Sequence, residues 1–423
     1  MSTAVRRLVT AALGLCVMAV PALARAGDPV MEWNNIARQL IVVPALTPVQ
    51  QTRAMAIVHV AIHDAVSGIT GEYARYHAVS AAAPAGAAPE AAAIGAAYHA
   101  LTGMFGESDS LAASYAASLL AHGISPGDSG LAYGQLVAEG ILMLRQDDGA
   151  AQAAFPYVPA GAGMPGVWVP MSAAPSAQAL LPGWGNVTPW VLRGGSQFRP
   201  DAPPALDSAR YAKDYNEVRQ IGAMTNTTRT DEQTQIALFW RASPTALWNP
   251  ILRRAIESRG LDLAATARVA ALFYLAAADA SVAVWESKYV YNFWRPEPAI
   301  VRGDEDGNAA TVADPSWRPL LPTPAHPEYA SAHTANSGAM AAVLRAIFGD
   351  APGYTIEATS SQNVGFVRYW GTFSEGVREV IDARVYSGIH FRTADQAGAR
   401  MGRQVAQFVM THALRPTKGK KGS

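Results

Sequence analysis

The chain has 423 residues, half of them hydrophobic and 16% charged, a composition that buries a large core and excludes an intrinsically disordered protein. Its 33 basic and 33 acidic residues balance, so no long-range field draws it to nucleic acid or to an anionic membrane. Any anion it holds is therefore held by a local cluster of cations.

Residues 1–26 read as an export signal: Arg6 and Arg7, an apolar run from Leu8 to Ala22, then Ala24-Arg25-Ala26 as a cleavage site. The expectation is a periplasmic or secreted protein using general secretion, since the residues around the arginine pair do not extend a twin-arginine match. The one cysteine, Cys16, lies inside this signal, so the mature chain is expected to have no disulfide and no thiolate metal site. Cleavage leaves 30 basic against 33 acidic residues, a net −3.

Helical periodicity dominates the chain after the signal, and the expected class is all-α, built as helical bundles. Helices are predicted over Pro29–Val43, Pro48–Gly68, Pro89–Phe105, Ser108–Ala121, Pro126–Arg145, Ser208–Ala223, Asp231–Trp240, Leu247–Ser258, Leu263–Phe293, Ser331–Phe348, Ile356–Val385 and Ala394–His412. Between Pro156 and Pro204, ten prolines and three tryptophans, Trp168, Trp184 and Trp190, mark an ordered excursion joining two helical halves. The chain thus divides into a signal (1–26), an N-terminal helical region (27–155), the excursion (156–204), a C-terminal helical bundle (205–415) and a basic tail (416–423). No membrane span is expected after the signal, because the most apolar stretch, Leu263 to Trp285, carries Arg268 and Asp279.

His59 and His63, one helical turn apart beside Asp64, have the spacing of a two-imidazole metal site. Nothing nearby supplies a third ligand, so satisfied core histidines are the better reading.

Three segments of the C-terminal third place cations and histidines where a helical protein would normally put Leu or Ala. The first holds Trp285, Lys288, Arg295 and Pro296. Lys288 and Arg295 are seven apart, which on a helix is two turns along one face, about 10 Å. Pro296 places Arg295 at a helix end, and Phe293 and Trp294 indicate burial, so the pair of cations needs a negative partner. The second holds His326, Ser331, Ala332 and His333; the Ser331 hydroxyl and the amides of Ala332 and His333 crowd a helix N-terminus, a ready anion site, where His333 is placed to exchange a proton. In the third, Thr393 with Gln396 reads as a capping box, which puts His390 just before a helix and biases it towards the neutral form. Arg384 adds a third permanent cation. Each segment alone reads as an ion pair or a helix cap; together they are the inventory for a multiply charged tetrahedral oxyanion.

The order K-x6-R-P (Lys288, Arg295, Pro296), S-x-H (Ser331, His333) and R-x5-H (Arg384, His390) resembles the signature shared by vanadium-dependent haloperoxidases and type 2 phosphatidic-acid-phosphatase-like acid phosphatases. The likeness covers residues 285–395 strictly and extends more loosely upstream to Arg229-Thr230, Phe239-Trp240 and Trp248-Asn249. It implies that Lys288, Arg295, Ser331, the Ala332 amide and Arg384 bind equatorial oxygens of vanadate or phosphate. It further implies that His390 is the axial vanadium ligand, or the phosphorylated nucleophile of a phosphatase, and that His333 is the acid–base partner. One pocket can serve both reactions, because trigonal bipyramidal vanadate mimics the transition state of phosphoryl transfer.

This sequence departs from the family pattern at three places. Ala332 replaces a glycine, Asp395 lies one residue further from His390 than in the acid phosphatases, and Ser243 stands where fungal members place the Asp that backs the acid–base histidine. Two features favour halide oxidation: His326 matches a position beside the family's halide site, and Trp285 matches a pocket tryptophan. The implied reaction takes hydrogen peroxide and bromide or chloride, with vanadate as cofactor. The alternatives are a soluble acid phosphatase acting on phosphomonoesters without a cofactor, and a non-catalytic oxyanion-binding protein. The halide, the organic acceptor and the oligomeric state stay open at this point.

Overall fold

The computed structural model describes residues 27–42, 46–171, 178–225 and 227–417; the expected export signal, Cys16 and most of the basic tail lie outside them. Among the described residues the chain forms thirteen α-helices and one two-stranded sheet. The first half holds α1 (Pro29–Val42), α2 (Pro48–Thr70), α3 (Pro89–Phe105), α4 (Asp109–Ala121) and α5 (Ser129–Arg145). The second holds α6 (Ala209–Ile221), α7 (Asp231–Phe239), α8 (Pro244–Arg259), α9 (Leu263–Tyr291), α10 (Pro296–Val301), α11 (Ala332–Phe348), the strands β1 (Ile356–Thr359) and β2 (Val367–Trp370), α12 (Phe373–Tyr386) and α13 (Arg392–His412).

The long helix α9 is the axis of the fold, packed against α2 on one side and against α11 and α13 on the other. Its composition explains this place: an alanine-rich helix is smooth, so neighbours approach all round it, and residues Ala270 to Trp285 are buried without a break. It is long and apolar enough to cross a membrane, yet its most apolar window is 94% buried inside the protein. Its two interior charges have partners: Asp279 accepts the backbone N–H groups of Trp190, Val191 and Leu192 at 2.6, 2.8 and 3.0 Å, and Arg268 Nε donates to the Leu414 carbonyl. Asp279 thereby pins the proline- and tryptophan-rich excursion to the axis, and Trp168, Trp184 and Trp190 are buried.

Helices α11 and α13 touch almost backbone to backbone. A Cβ on Gly402 would stand 1.9 Å from the Ala335 carbonyl, and one on Gly398 would stand 2.3 Å from the Ser331 carbonyl. The approach sets the site, because Ser331 and His390 lie at the starts of these two helices.

The predicted helix Ile356–Val385 is corrected: only its last part, α12, is helical. Its first part is the antiparallel hairpin β1–β2, with Ile356 opposite Trp370 and Thr359 opposite Val367. Ile356-Glu-Ala-Thr359 alternates buried and exposed side chains with period two, Gly365 turns the chain at φ +87°, and Thr372 with Glu375 forms the capping box that starts α12. The short helix α10 has no counterpart among the predicted helices.

The histidine pair His59 and His63 lies in the core of α2. His59 stacks on Tyr274 with ring centroids 4.9 Å apart and pairs with Asn34 at 2.9 Å, while His63 contacts the Ala74 carbonyl at 3.2 Å. Burial lowers their pKa values to about 3 and about 4, the behaviour of neutral core imidazoles.

Candidate active site

All three sequence segments meet in one buried cluster, but not through the local geometry expected of them. Helix α9 ends at Tyr291, where Asn292 adopts the left-handed conformation at φ 47°. Lys288 and Arg295 therefore do not share a helix face; Lys288 projects from the last turn of α9, and Arg295 is the N-cap residue of α10. The turn folds the chain back so that both cations, fully buried, face the loop that carries His326 and Glu328. The capping box at Thr393 is likewise corrected. Helix α13 begins at Arg392, capped by Phe391 without a side-chain bond, while the Thr393 N–H is taken by Asp214 at 3.1 Å and its hydroxyl accepts from Arg210.

Lys288 Nζ donates to the carbonyls of Pro327 and Glu328, both at 2.9 Å, which leaves one ammonium donor. Burial, then Arg295, pushes its pKa well down. Arg295 is the hub. Its Nε donates to the His326 carbonyl, Nη1 to the Ile389 carbonyl and to His390 Nε2 at 3.0 Å, and Nη2 to His326 Nδ1 at 2.9 Å. Guanidinium only donates, so His390 Nε2 is an acceptor and that ring carries its proton on Nδ1; His326 Nδ1 is shared between Arg295 and the Pro327 carbonyl at 3.1 Å.

For His390 the protonated nitrogen meets a carboxylate that the sequence reading does not single out. Nδ1 lies 2.8 Å from Glu328 Oε1, which also accepts the Phe391 N–H at 3.0 Å. Glu328 is fully buried, and burial raises its pKa to about 7 against the opposing pull of Arg295 and Lys288. The result is a neutral His390 of defined tautomer with its Nε2 lone pair turned to the cations. An acid in an otherwise apolar, proline-rich stretch three residues before Ser331 is the signal that could have found it.

Arg384 donates from Nη1 to the Trp240 carbonyl at 3.0 Å. Ser331 caps α11, but its hydroxyl makes no capping bond. Ser331 Oγ, Arg384 Nε and both Asp395 carboxyl oxygens are buried without a well-formed hydrogen bond, although the Ser331 hydroxyl is near enough to Asp395 to favour its ionised form. Burial dominates there and raises the Asp395 pKa well above the carboxylate range. Asp395 thus faces Ser331 and Arg384, whereas the carboxylate on His390 is Glu328.

His333, in the first turn of α11 beside Ala332, is only partly buried. Its Nε2 lies 3.3 Å from the Ala242 carbonyl, so Nδ1 is the acceptor nitrogen. Burial, then Arg384, lowers its pKa well below the usual histidine value. Ser243 does not back this ring; its hydroxyl donates to Gln51 Oε1 at 2.8 Å, and the neighbouring carbonyl takes the place of a carboxylate. Carbonyls 240 and 242 leave no trace in residue types. They are held through Trp240, whose indole donates to Glu379 at 3.0 Å and stacks on Trp370 of the hairpin at 5.7 Å.

Trp285 and His326 adjoin this cluster, both buried, with ring centroids 5.0 Å apart. The Trp285 indole donates to the Leu180 carbonyl, which also accepts from Tyr289. His326 is therefore no surface or capping residue; it is part of the cluster's wall.

Residues 268–419, the part of the chain that contains every group just described from Lys288 onward, match the family described as the VCPO second helical-bundle domain. This family, like the relatives that follow, matches the superfamily that the sequence motifs resemble. The vanadium chloroperoxidase of Curvularia inaequalis is 25% identical over 204 residues, a match covering 40% of this chain and a third (33%) of that protein. The solved structure of the first bacterial vanadium-dependent iodoperoxidase aligns with a TM-score of 0.78 at 28% identity, covering 93% of this chain and 98% of that one. A bacterial vanadium-dependent chloroperoxidase in its holo form aligns at 0.69 and 17% identity over 92% of this chain and 97% of that one, a likeness of fold.

Proposed function

We propose that this protein is a vanadate-dependent haloperoxidase that oxidises bromide or chloride with hydrogen peroxide to hypohalous acid. The observation that carries the reading is the buried cluster itself. Lys288, Arg295 and Arg384 sit together with Ser331 Oγ and Arg384 Nε making no well-formed hydrogen bond, around a His390 whose tautomer Glu328 sets. Buried like charges whose donors lack well-formed bonds fit a multiply charged oxyanion, and a neutral imidazole nitrogen among them fits a metal ligand oriented by its carboxylate partner. Lys288, Arg295, Ser331, the Ala332 amide and Arg384 would hold the oxygens of vanadate, and His390 Nε2 its metal. Vanadate held there supplies the Lewis-acidic centre that activates hydrogen peroxide towards halide.

The chain's own groups supply the rest. His333 takes and returns a proton at Nδ1, the nitrogen left free by the Ala242 carbonyl. Lys288 directs its remaining ammonium donor at the oxyanion, whose negative charge offsets the desolvation that otherwise disfavours the ammonium form. Trp285 and His326 form the wall on which halide rests.

The same neutral Nε2 is also a nucleophile, which favours a second reading, hydrolysis of phosphomonoesters through a phosphorylated His390. The test is bromination of a dye with hydrogen peroxide in phosphate-free buffer, before and after orthovanadate. Activity that appears with vanadate supports the haloperoxidase. Its absence, together with vanadate-inhibited hydrolysis of a simple phosphomonoester, replaces it by the phosphatase. His390→Ala is expected to lose vanadate, and His333→Ala to bind it without turnover; tight vanadate binding by His390→Ala overturns the assignment of the ligand.

A further inference from the structure

On the outer side of the two segments that carry Ser331 and His390 lies a groove of about 460 Å³, lined by Arg199, Arg210, Arg400 and Arg403 with Tyr329 and Thr393 as part of its wall. Arg199 is held by both oxygens of Glu286, and Arg210 is held at Nε by the Thr393 hydroxyl at 3.1 Å, so two of the four guanidinium groups are positioned in advance. Arg400 and Arg403 are one turn apart on α13 and exposed. Among the described residues neither has a carboxylate within salt-bridge distance, although the neighbouring Arg345 and Arg378 do, in Asp350 and Glu375. Asp201 is the one carboxylate residue lining the groove. The lining stays cationic after Glu286 and Asp201 are set against it.

Such a concentration is costly in this molecule. Like charges one turn apart destabilise a helix, and the mature chain is otherwise slightly acidic. Guanidinium groups that converge on a concavity match the planar fork of carboxylates, and the volume suits a small organic molecule, not a macromolecule. We propose that this groove is a second anion site, for a small organic anion bearing two or more carboxylates. It differs from the inner cluster in form: the inner cluster is buried and proposed to close on a tetrahedral oxyanion, whereas the groove is open and lined by four arginines from separate segments.

Citrate is the probe, titrated calorimetrically into the full chain at low salt. The expectation is one bound citrate whose affinity falls as sodium chloride is raised and drops about tenfold or more in Arg400→Gln/Arg403→Gln, given the strength of hydrogen bonds to charged groups. Arg210→Gln, on a different helix, is expected to weaken citrate in the same direction. All three sites are exposed and tolerate the change, and vanadate binding, proposed to use none of these arginines, reports that the variants are folded. Wild type that fails to bind citrate at millimolar concentration, or a double variant that binds it as tightly as wild type, overturns the proposal.

Discussion

Replacing Glu328 by Gln separates the two jobs proposed for the buried cluster, attracting an oxyanion and coordinating its central atom. The amide keeps one carbonyl oxygen, which can still accept from His390 Nδ1 and from the Phe391 N–H, now at 2.8 and 3.0 Å, so the local fold is retained. What disappears is the negative charge. A hydrogen bond to a charged group is worth about 1.5–3 kcal/mol against about 1 for a neutral one, so His390 becomes a poorer ligand by about 1 kcal/mol or more. Carboxylate partners of ligating histidines typically shift metal affinity about 10–100-fold, and about tenfold weaker vanadate is expected. On the proposed reading, phosphate is captured by the cations without coordination to His390. Removing a carboxylate beside Lys288 and Arg295 leaves the cluster more positive, so phosphate affinity is expected to hold or rise. The assay is paired titration of vanadate and phosphate into wild type and Glu328→Gln at about pH 8, above the carboxyl value of about 7. The vanadate-to-phosphate affinity ratio is expected to fall about tenfold; an unchanged ratio refutes the ligand-orienting role of Glu328.

Two further predictions concern the frame around the site. Gly402→Ala brings a methyl group to 1.9 Å from the Ala335 carbonyl and forces α11 from α13, at a cost of about 3 kcal/mol; helix propensity alone favours alanine by about 1 kcal/mol, so a variant that melts higher than wild type refutes the backbone contact. His59 stays neutral in the fold down to about 3, while in the unfolded chain it protonates near about 6.5. Its contribution to stability is therefore complete above the unfolded value and is lost as pH falls towards the folded one. His59→Phe, which keeps the stack on Tyr274, is expected to narrow the stability difference between about pH 7 and about pH 5 by about 2 kcal/mol, read from denaturant unfolding; an unchanged difference refutes the neutral buried imidazole.

Much of this protein is legible in residue order. Helix starts at Pro48, Pro89 and Asp231 follow from proline at the first turn and from capping side chains, because these signals are local. Lys288, Arg295, Ser331, His333, Arg384 and His390 are legible as a set for a different reason: cations, a free hydroxyl and imidazoles are too costly to bury without an anion, so their presence in apolar surroundings is itself informative. What residue order does not contain is how the set converges. The left-handed Asn292 breaks the helix that spacing alone would have continued to Arg295, and the hairpin from Ile356 to Trp370 interrupts a predicted helix because its indole packs on Trp240. Glu328 becomes the partner of His390 only when a loop 62 residues away is laid against it, and the carbonyls of Trp240 and Ala242 orient Arg384 and His333 with atoms that every residue possesses. Sequence specifies which charged groups need a partner; tertiary packing alone decides which atoms meet, since distance in space depends on contacts between helices that no local pattern records.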